Sequence, residues 1–116
     1  KKRRSAHYSS SSHEVEDFAR FESEIDLHIE KILDRPGKMS QSEMLRLQIL
    51  AFDQYLEQAI RLGVDRVFII HGVGKGKLKN KIASSLIQNP DVETFKNEYH
   101  PKYGYGATEV IFKRSS

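Results

Sequence analysis

The sequence predicts an α/β fold, a two-layer sandwich whose mixed four-stranded sheet has the element order β-α-β-α-β-β. Three observations lead to this prediction. Polar and apolar residues alternate over 24–29, apolar residues recur at helical spacing over 45–60, and an apolar segment over 67–70 runs into a glycine-rich loop. With 116 residues, the chain has room for one domain.

The composition restricts the class of protein. Hydrophobic residues make up 38% of the chain, which supports a small core, and no apolar run approaches the roughly 18 residues of a membrane helix. The chain has no cysteine, which removes disulfides and thiolate metal sites and fits a reducing, cytoplasmic location. A net charge of +3 does not by itself indicate a nucleic-acid partner, so the placement of the charges has to decide.

Residues 1–22 are predicted to be a flexible tail or linker, and residues 23–116 the folded domain. The basic block Lys1–Arg4 and the serine run Ser9–Ser12 bury too little apolar surface to fold. The basic block is a solvated linker, a contact to nucleic acid or a targeting signal. Because the chain does not begin with methionine, we expect upstream domains in the same polypeptide, with a short helix over 14–21 leading into the domain.

The first predicted strand covers 24–29. Its alternation places Ile25, Leu27 and Ile29 on the buried face and leaves Asp26 and His28 together on the other. A carboxylate two residues from an imidazole on one strand face lies close enough to orient it.

The first long helix is predicted from Ser40, where Ser40 and Glu43 have the spacing of a capping box, to about Leu62, with Gly63 just past its end. The following strand, 66–70, is apolar on both faces, which indicates a central, parallel strand. The helix between the two strands supplies a right-handed crossover.

The remaining elements are a helix over 78–87, a strand over 92–99 whose imperfect alternation indicates a bulge, a loop over 100–106 and a last strand over 107–112.

The predicted site lies where the first two strands end, because ligands of open α/β sheets bind at the carboxyl ends of strands. Asp26 and His28 near the first end and His71 at the second are expected to converge as an acid/base group, since histidine titrates near working pH. Residues 71–76, here called the glycine loop, lead into the second helix, an order typical of a phosphate site. The phosphate-binding candidates in and after this loop are Gly72, Gly74, Lys75, Gly76, Lys77 and Lys79.

Simpler interpretations remain open for each feature. The histidines are alternatively structural hydrogen-bonding residues, the glycines a tight turn, and the lysines the solvated face of a helix. Tyr103 and Tyr105 either stack on bases or cover the edge of the core. A metal held by Asp26, His28 and His71 is less favoured, because the cations that act on phosphates prefer several oxygen ligands.

Three segments together resemble the motifs of the Smr (small MutS-related) domain family. They are Ile25–His28, like an LDLH strand, His71–Leu78, like an HGxGxGxL loop, and Gly104–Thr108, like a GxGxT segment. The resemblance covers about residues 23–114 and implies an α/β sandwich similar to the C-terminal domain of a bacterial translation initiation factor.

The resemblance also implies a function. Smr domains bind nucleic acid and many are endonucleases that nick or cut DNA or RNA, some of them on messenger RNA of stalled ribosomes, so nucleic acid and the ribosome are the implied partners. The family's active motifs match Asp26 with His28, and His71 through Gly76. The third motif adds Gly104, Gly106 and Thr108 to the expected nucleic-acid-binding residues.

The sequence departs from the family pattern at two places beside this site. Ile29 stands where the family often has glycine, and about ten extra residues around 32–39 separate the first strand from the first helix. We therefore keep two interpretations: an endonuclease, and a non-catalytic nucleic-acid-binding or protein-interaction module of a larger protein. No cofactor is expected to be required, with a divalent ion such as Mg²⁺ as the alternative for DNA.

Overall fold

A computed structural model describes residues 15–114. The predicted basic block and serine run lie outside these residues, and residues 15–20 are helical. The elements that follow are β1 Glu24–Asp26, α1 Ile29–Ile32, α2 Gln41–Leu62, β2 Arg66–Ile70, α3 Lys77–Gln88, β3 Val92–Lys96 and β4 Ala107–Phe112.

The four strands form one mixed sheet in the order β1-β2-β4-β3. β1 pairs parallel with β2, with Asp26 opposite Ile70, whereas β4 is antiparallel to both β2 and β3. The predicted mixed four-stranded α/β fold is therefore confirmed, and β2 is central as expected, although only its β1 side is parallel. A register shift between Val92 and Thr94 supplies the bulge expected in β3.

Helix α2 begins and ends as its sequence predicts. The Ser40 hydroxyl accepts a hydrogen bond from the Glu43 amide, and the Glu43 carboxylate accepts one from the Ser40 amide, which completes the capping box. Gly63 follows the last turn with a φ of 75°, the left-handed conformation that glycine adopts without steric cost. The helix is thus fixed at both ends by local chemistry.

The core lies between the helices and one face of the sheet. It contains apolar side chains of α2, α3 and the three longer strands, including Phe52, Ile82, Ile69 and Val110, each fully buried. On the opposite face of the sheet, Phe68 is covered by Tyr103 and His100 at ring-centroid distances of 5.2 and 5.1 Å. Among residues 15–114, no helix is both long and apolar enough to cross a membrane.

The first strand is shorter than the alternation predicts. It ends at Asp26, and Ile29 opens the short helix α1 instead of continuing the strand. The cause is local: the Asp26 carboxylate accepts a hydrogen bond from the backbone amide of His28 at 3.0 Å, two residues ahead, and so competes with the strand ladder. Leu27 nevertheless enters the core as predicted, fully buried.

A pair of leucines on α2 tests this description of the core. Leu56 is 3% exposed and Leu50 is 48% exposed, so Leu56→Ala is expected to lower the free energy of unfolding by about 2–5 kcal/mol. Leu50→Ala is expected to cost well under half as much, since it opens no internal cavity. Urea unfolding of both variants measures the difference, and equal losses would contradict the assigned orientation of α2.

Candidate functional site

Asp26 and His28 form a hydrogen-bonded pair at the end of β1. The Asp26 Oδ1 atom lies 2.6 Å from the His28 Nδ1 atom and also accepts the His28 backbone amide. Because a carboxylate only accepts, Nδ1 carries the proton and Nε2 is left for another partner. The imidazole is 50% exposed, and its Nε2 atom faces Gly72.

The carboxyl of this pair stays ionised over a wide pH range. Burial alone would raise the pKa of Asp26, but the hydrogen bonds from the His28 amide and imidazole, together with the charges of His28 and Lys31, lower the pKa below its ordinary value. An ionised Asp26 holds the His28 ring in one orientation.

Gly72 brings the glycine loop into direct contact with His28. A Cβ at position 72 would lie 2.8 Å from the His28 Nε2 atom, closer than a side chain tolerates, and the φ of Gly72 is +81°. Gly106 packs on the other side of Gly72, where an added Cβ would lie 3.4 Å from the Gly72 Cα. Glycine at both positions allows β1, the glycine loop and the start of β4 to approach one another.

The same junction is held by backbone hydrogen bonds. The Gly106 carbonyl accepts from the amides of both His71 and Gly72, each at 2.9 Å. Gly104 lies in the adjoining turn, where its amide bonds the His100 carbonyl and its φ is 62°.

His71 is buried and uses both ring nitrogens within the protein. Its Nδ1 atom lies 2.9 Å from the Gly72 carbonyl oxygen, and its Nε2 atom lies 2.9 Å from the Thr108 hydroxyl oxygen. A carbonyl only accepts, so Nδ1 carries the proton and Nε2 accepts from Thr108, which describes a neutral imidazole. Burial lowers the pKa of His71 against the raising effect of the Gly72 carbonyl, and the nearby charges of Lys79 and His28 lower it further.

A groove of about 880 Å³ lies against the glycine loop, and every residue of that loop lines it. Its walls are the glycine loop, the start of α3, the first turns of α2 and the tip of the loop before β4. The lining residues that carry charge or hydrogen-bonding side chains are Gln41, Ser42, Gln48, His71, Lys75, Lys77, Lys79, Asn97 and Tyr105.

The first turn of α3 adds an anion-binding feature to the groove. Gly76 precedes the helix with a φ of 88° and offers no side chain to cap it. The amides of the first turn have no acidic side chain beside them either. Free helix N-terminal amides next to Lys75 and Lys77 attract anions such as phosphate.

The predicted site residues fall into two groups. The candidates in and after the glycine loop line the groove together, whereas Asp26 and His28 are not part of its lining, and His28 adjoins it through the contact with Gly72. Three further candidates, Gly104, Gly106 and Thr108, also lie outside the groove lining: Gly104 shapes a turn, Gly106 packs on Gly72, and Thr108 is 3% exposed against His71. Within residues 15–114, no group of three or more His, Asp or Glu side chains is arranged to hold a metal ion.

The structure adds groove residues that are not among the predicted site residues. Gln41, Met44, Leu45 and Gln48 line the groove from α2, and Ile29 joins them from α1. The four α2 residues are spaced i, i+3, i+4 and i+7, so they lie on one face of the helix. The side-chain amides of Gln41 and Gln48 on that face were the sequence signal that could have indicated a polar site. Gln48 also donates to the Leu27 carbonyl at 2.8 Å, which ties α2 to the residue between Asp26 and His28.

The two tyrosines of the loop before β4 lie in different surroundings. The Tyr103 hydroxyl donates to Glu24 and its ring packs on Phe68, so it covers the edge of the sheet. Tyr105 is 61% exposed and lines the groove. Tyr99, 62% exposed, meets Tyr105 edge to face at a centroid distance of 5.4 Å.

A matched pair of glycine substitutions tests the contact between the glycine loop and His28. Gly72→Ala introduces a clash with the imidazole and forces an alanine into the left-handed backbone conformation. It is therefore expected to lower the free energy of unfolding by about 1–3 kcal/mol and to shift the His28 ring resonances in NMR spectra. Gly74→Ala, where nothing lies within 4 Å of the added Cβ, is the control. Unchanged His28 resonances in Gly72→Ala would contradict the contact.

The buried neutral imidazole of His71 predicts a pH dependence of stability. Its pKa is lower in the folded chain than the ordinary 6.5, so the unfolded chain binds more protons as the pH falls below about 6.5. The free energy of unfolding is therefore expected to fall with pH from about 6.5 down to the folded pKa. Urea unfolding at several pH values between 7.5 and 5 gives the free energy of unfolding as a function of pH. This free energy should depend less steeply on pH for His71→Gln than for the wild type, and an identical pH dependence would contradict the assignment.

Comparison with known proteins places the chain in a family. The Smr domain family model matches residues 43–113, from α2 to the end of β4 and without β1. The protein named Endonuclease MutS2 of Ligilactobacillus salivarius is 35% identical over 86 residues, covering 74% of this chain and 10% of that protein. Its Aquifex aeolicus namesake is 36% identical over 61 residues, 53% of this chain and 8% of that protein. The chain thus spans about a tenth of the length of these curated relatives.

Solved structures agree. The Smr domain of Thermus thermophilus MutS2 is similar at a TM-score of 0.59 and 28% identity, over 79% of this chain and 99% of that chain. YdaL, a stand-alone small MutS-related protein from Escherichia coli, has the same fold at a TM-score of 0.54 and 19% identity, over 97% of this chain and 81% of that chain. The family model matches more than half of the chain, and the three motifs stand in the family's order, so the chain belongs to the Smr domain family.

Proposed function

We propose that this domain binds nucleic acid in the groove and cleaves phosphodiester bonds as an endonuclease, with His28 as the acid/base residue. The observation that carries the proposal is the Asp26–His28 pair, in which Nδ1 is bound at 2.6 Å and Nε2, which has no hydrogen-bond partner among residues 15–114, lies beside the glycine loop. The relatives named as endonucleases support the same activity.

The chemistry follows from this protonation pattern. The Nδ1–H group of His28 donates a hydrogen bond to Asp26, so the Nε2 atom of the ring is the one that accepts a proton from the nucleophile. The nucleophile is the neighbouring 2′-hydroxyl on RNA or a water on DNA. The nucleophile bonds to phosphorus, the bond from phosphorus to the leaving oxygen breaks, and the proton passes from Nε2 to that oxygen. Asp26 supports the positive charge that the ring carries between the two transfers.

The groove supplies the electrostatic part of the proposal. Lys75, Lys77 and Lys79 line it together with the start of α3, so fixed positive charge and free amides face a bound phosphodiester. We assign to His71 the role of holding the glycine loop, since its two nitrogens are bonded to the Gly72 carbonyl and the Thr108 hydroxyl. Proton transfer is therefore assigned to His28.

Cleavage assays with His28→Ala test the proposal. End-labelled RNA and single-stranded, duplex and branched DNA are incubated with wild type and variant, in EDTA and in Mg²⁺. Loss of the acid/base residue is expected to slow cleavage by roughly 10²–10⁴-fold while binding persists. His100→Ala removes an imidazole from the opposite face of the sheet and serves as the control. Undiminished cleavage by His28→Ala would overturn the assignment.

The binding half of the proposal has its own control in the same assay. Lys75→Ala with Lys77→Ala removes two charges from the groove, whereas Lys113→Ala with Arg114→Ala removes two charges beyond the other end of the sheet. Only the first pair should weaken binding and lower its dependence on salt, by about one unit of slope for each phosphate that a lysine no longer neutralises. Binding by the wild type without any cleavage would indicate the non-catalytic module instead.

A further inference from the structure

An exposed aromatic pair stands at the mouth of the groove. Tyr105 lines the groove with most of its ring in solvent, and Tyr99 supports it edge to face at 5.4 Å. Exposed tyrosine rings keep apolar surface in water, and a flat ligand can bury that surface by stacking on it. Neither ring is used by the core, in contrast to Tyr103.

The backbone that carries Tyr105 is fixed. The Asn97 side-chain amide donates to the carbonyls of both Tyr105 and Ala107, so the end of β3 holds the segment in which Tyr105 stands. The turn before it is closed by the paired backbones of His100 and Gly104. A ring held on a fixed backbone needs little ordering when a ligand arrives.

The lining that contains Tyr105 also carries positive charge. The groove is lined by Tyr105 and by Lys75, Lys77 and Lys79, with the exposed Val73 also in the lining. Glutamine amides from α2 complete the polar lining. An aromatic face combined with lysines and side-chain amides suits a ligand with a phosphate backbone and unstacked bases.

We propose that the groove takes single-stranded nucleic acid, with one unpaired base stacked on Tyr105 and the adjoining phosphates on the lysines. A paired base is already stacked between its neighbours and offers no free face, so a duplex gains only the phosphate contacts. The inference rests on the proposed function, since it names the ligand class of the same groove. It assigns the recognition of unpaired bases to residues separate from the Asp26–His28 pair.

Abasic oligonucleotides measure the stacking directly. Fluorescence anisotropy compares a single-stranded DNA with the same strand carrying abasic sites, which keeps every phosphate, and with a hairpin duplex. For the wild-type chain, the intact strand is expected to bind roughly five- to a hundredfold more tightly than the abasic strand, the range found for one stacked base. Tyr105→Ala should reduce that ratio to near one, and Tyr105→Phe should retain it because the ring remains.

Phe18→Ala is the matched control, because it removes a ring that is 53% exposed and does not line the groove. A ratio that survives in Tyr105→Ala, a preference for the hairpin, or absence of binding to the intact strand would each overturn the proposal. Cleavage assays keep the two proposals apart. Stacking selectivity without cleavage defeats only the nuclease, and cleavage without any intact-to-abasic difference defeats only the stacking site.

Discussion

The close approach of Gly106, Gly72 and the His28 imidazole is the constraint on which the site depends. Three segments distant in sequence meet there, and a Cβ at position 72 would push the ring away. The Gly106 carbonyl fixes the contact by accepting two amides of the glycine loop. The central pairing of β2 with β4 therefore sets the distance between the Asp26–His28 pair and the groove.

The fold could be predicted largely from the sequence because its signals are local. A few residues are enough to predict where several elements begin or end. Examples are the capping box at Ser40, the glycine after Leu62 and the apolar segment of β2. The end of β1 could not be predicted from periodicity, because the Asp26 carboxylate accepts a hydrogen bond from the His28 amide and this local contact overrides the alternation. The segment that joins β1 to α2 likewise contains a short helix that periodicity did not predict, and this helix begins at Ile29.

The site was only partly predictable. Motif order indicated which residues belong near one another, and the structure brings Asp26, His28 and the glycine loop together. The different surroundings of the two histidines depend on tertiary contacts: His28 is half exposed, whereas His71 is buried between Thr108 and a carbonyl. The division between Tyr103 and Tyr105 arises in the same way, since neighbouring positions of one loop face a sheet edge and an open groove.

The position of β1 at the edge of the sheet has a consequence for how such a domain changes over evolutionary time. Asp26 belongs to a three-residue edge strand with a single neighbour in the sheet, whereas most of the groove-lining residues belong to α2, the glycine loop and the start of α3. The family model begins at residue 43, within α2, and leaves β1 out. Substitutions in this edge strand can therefore change the Asp26–His28 pair while the groove keeps its place in the fold, so the pair and the groove can diverge independently of each other.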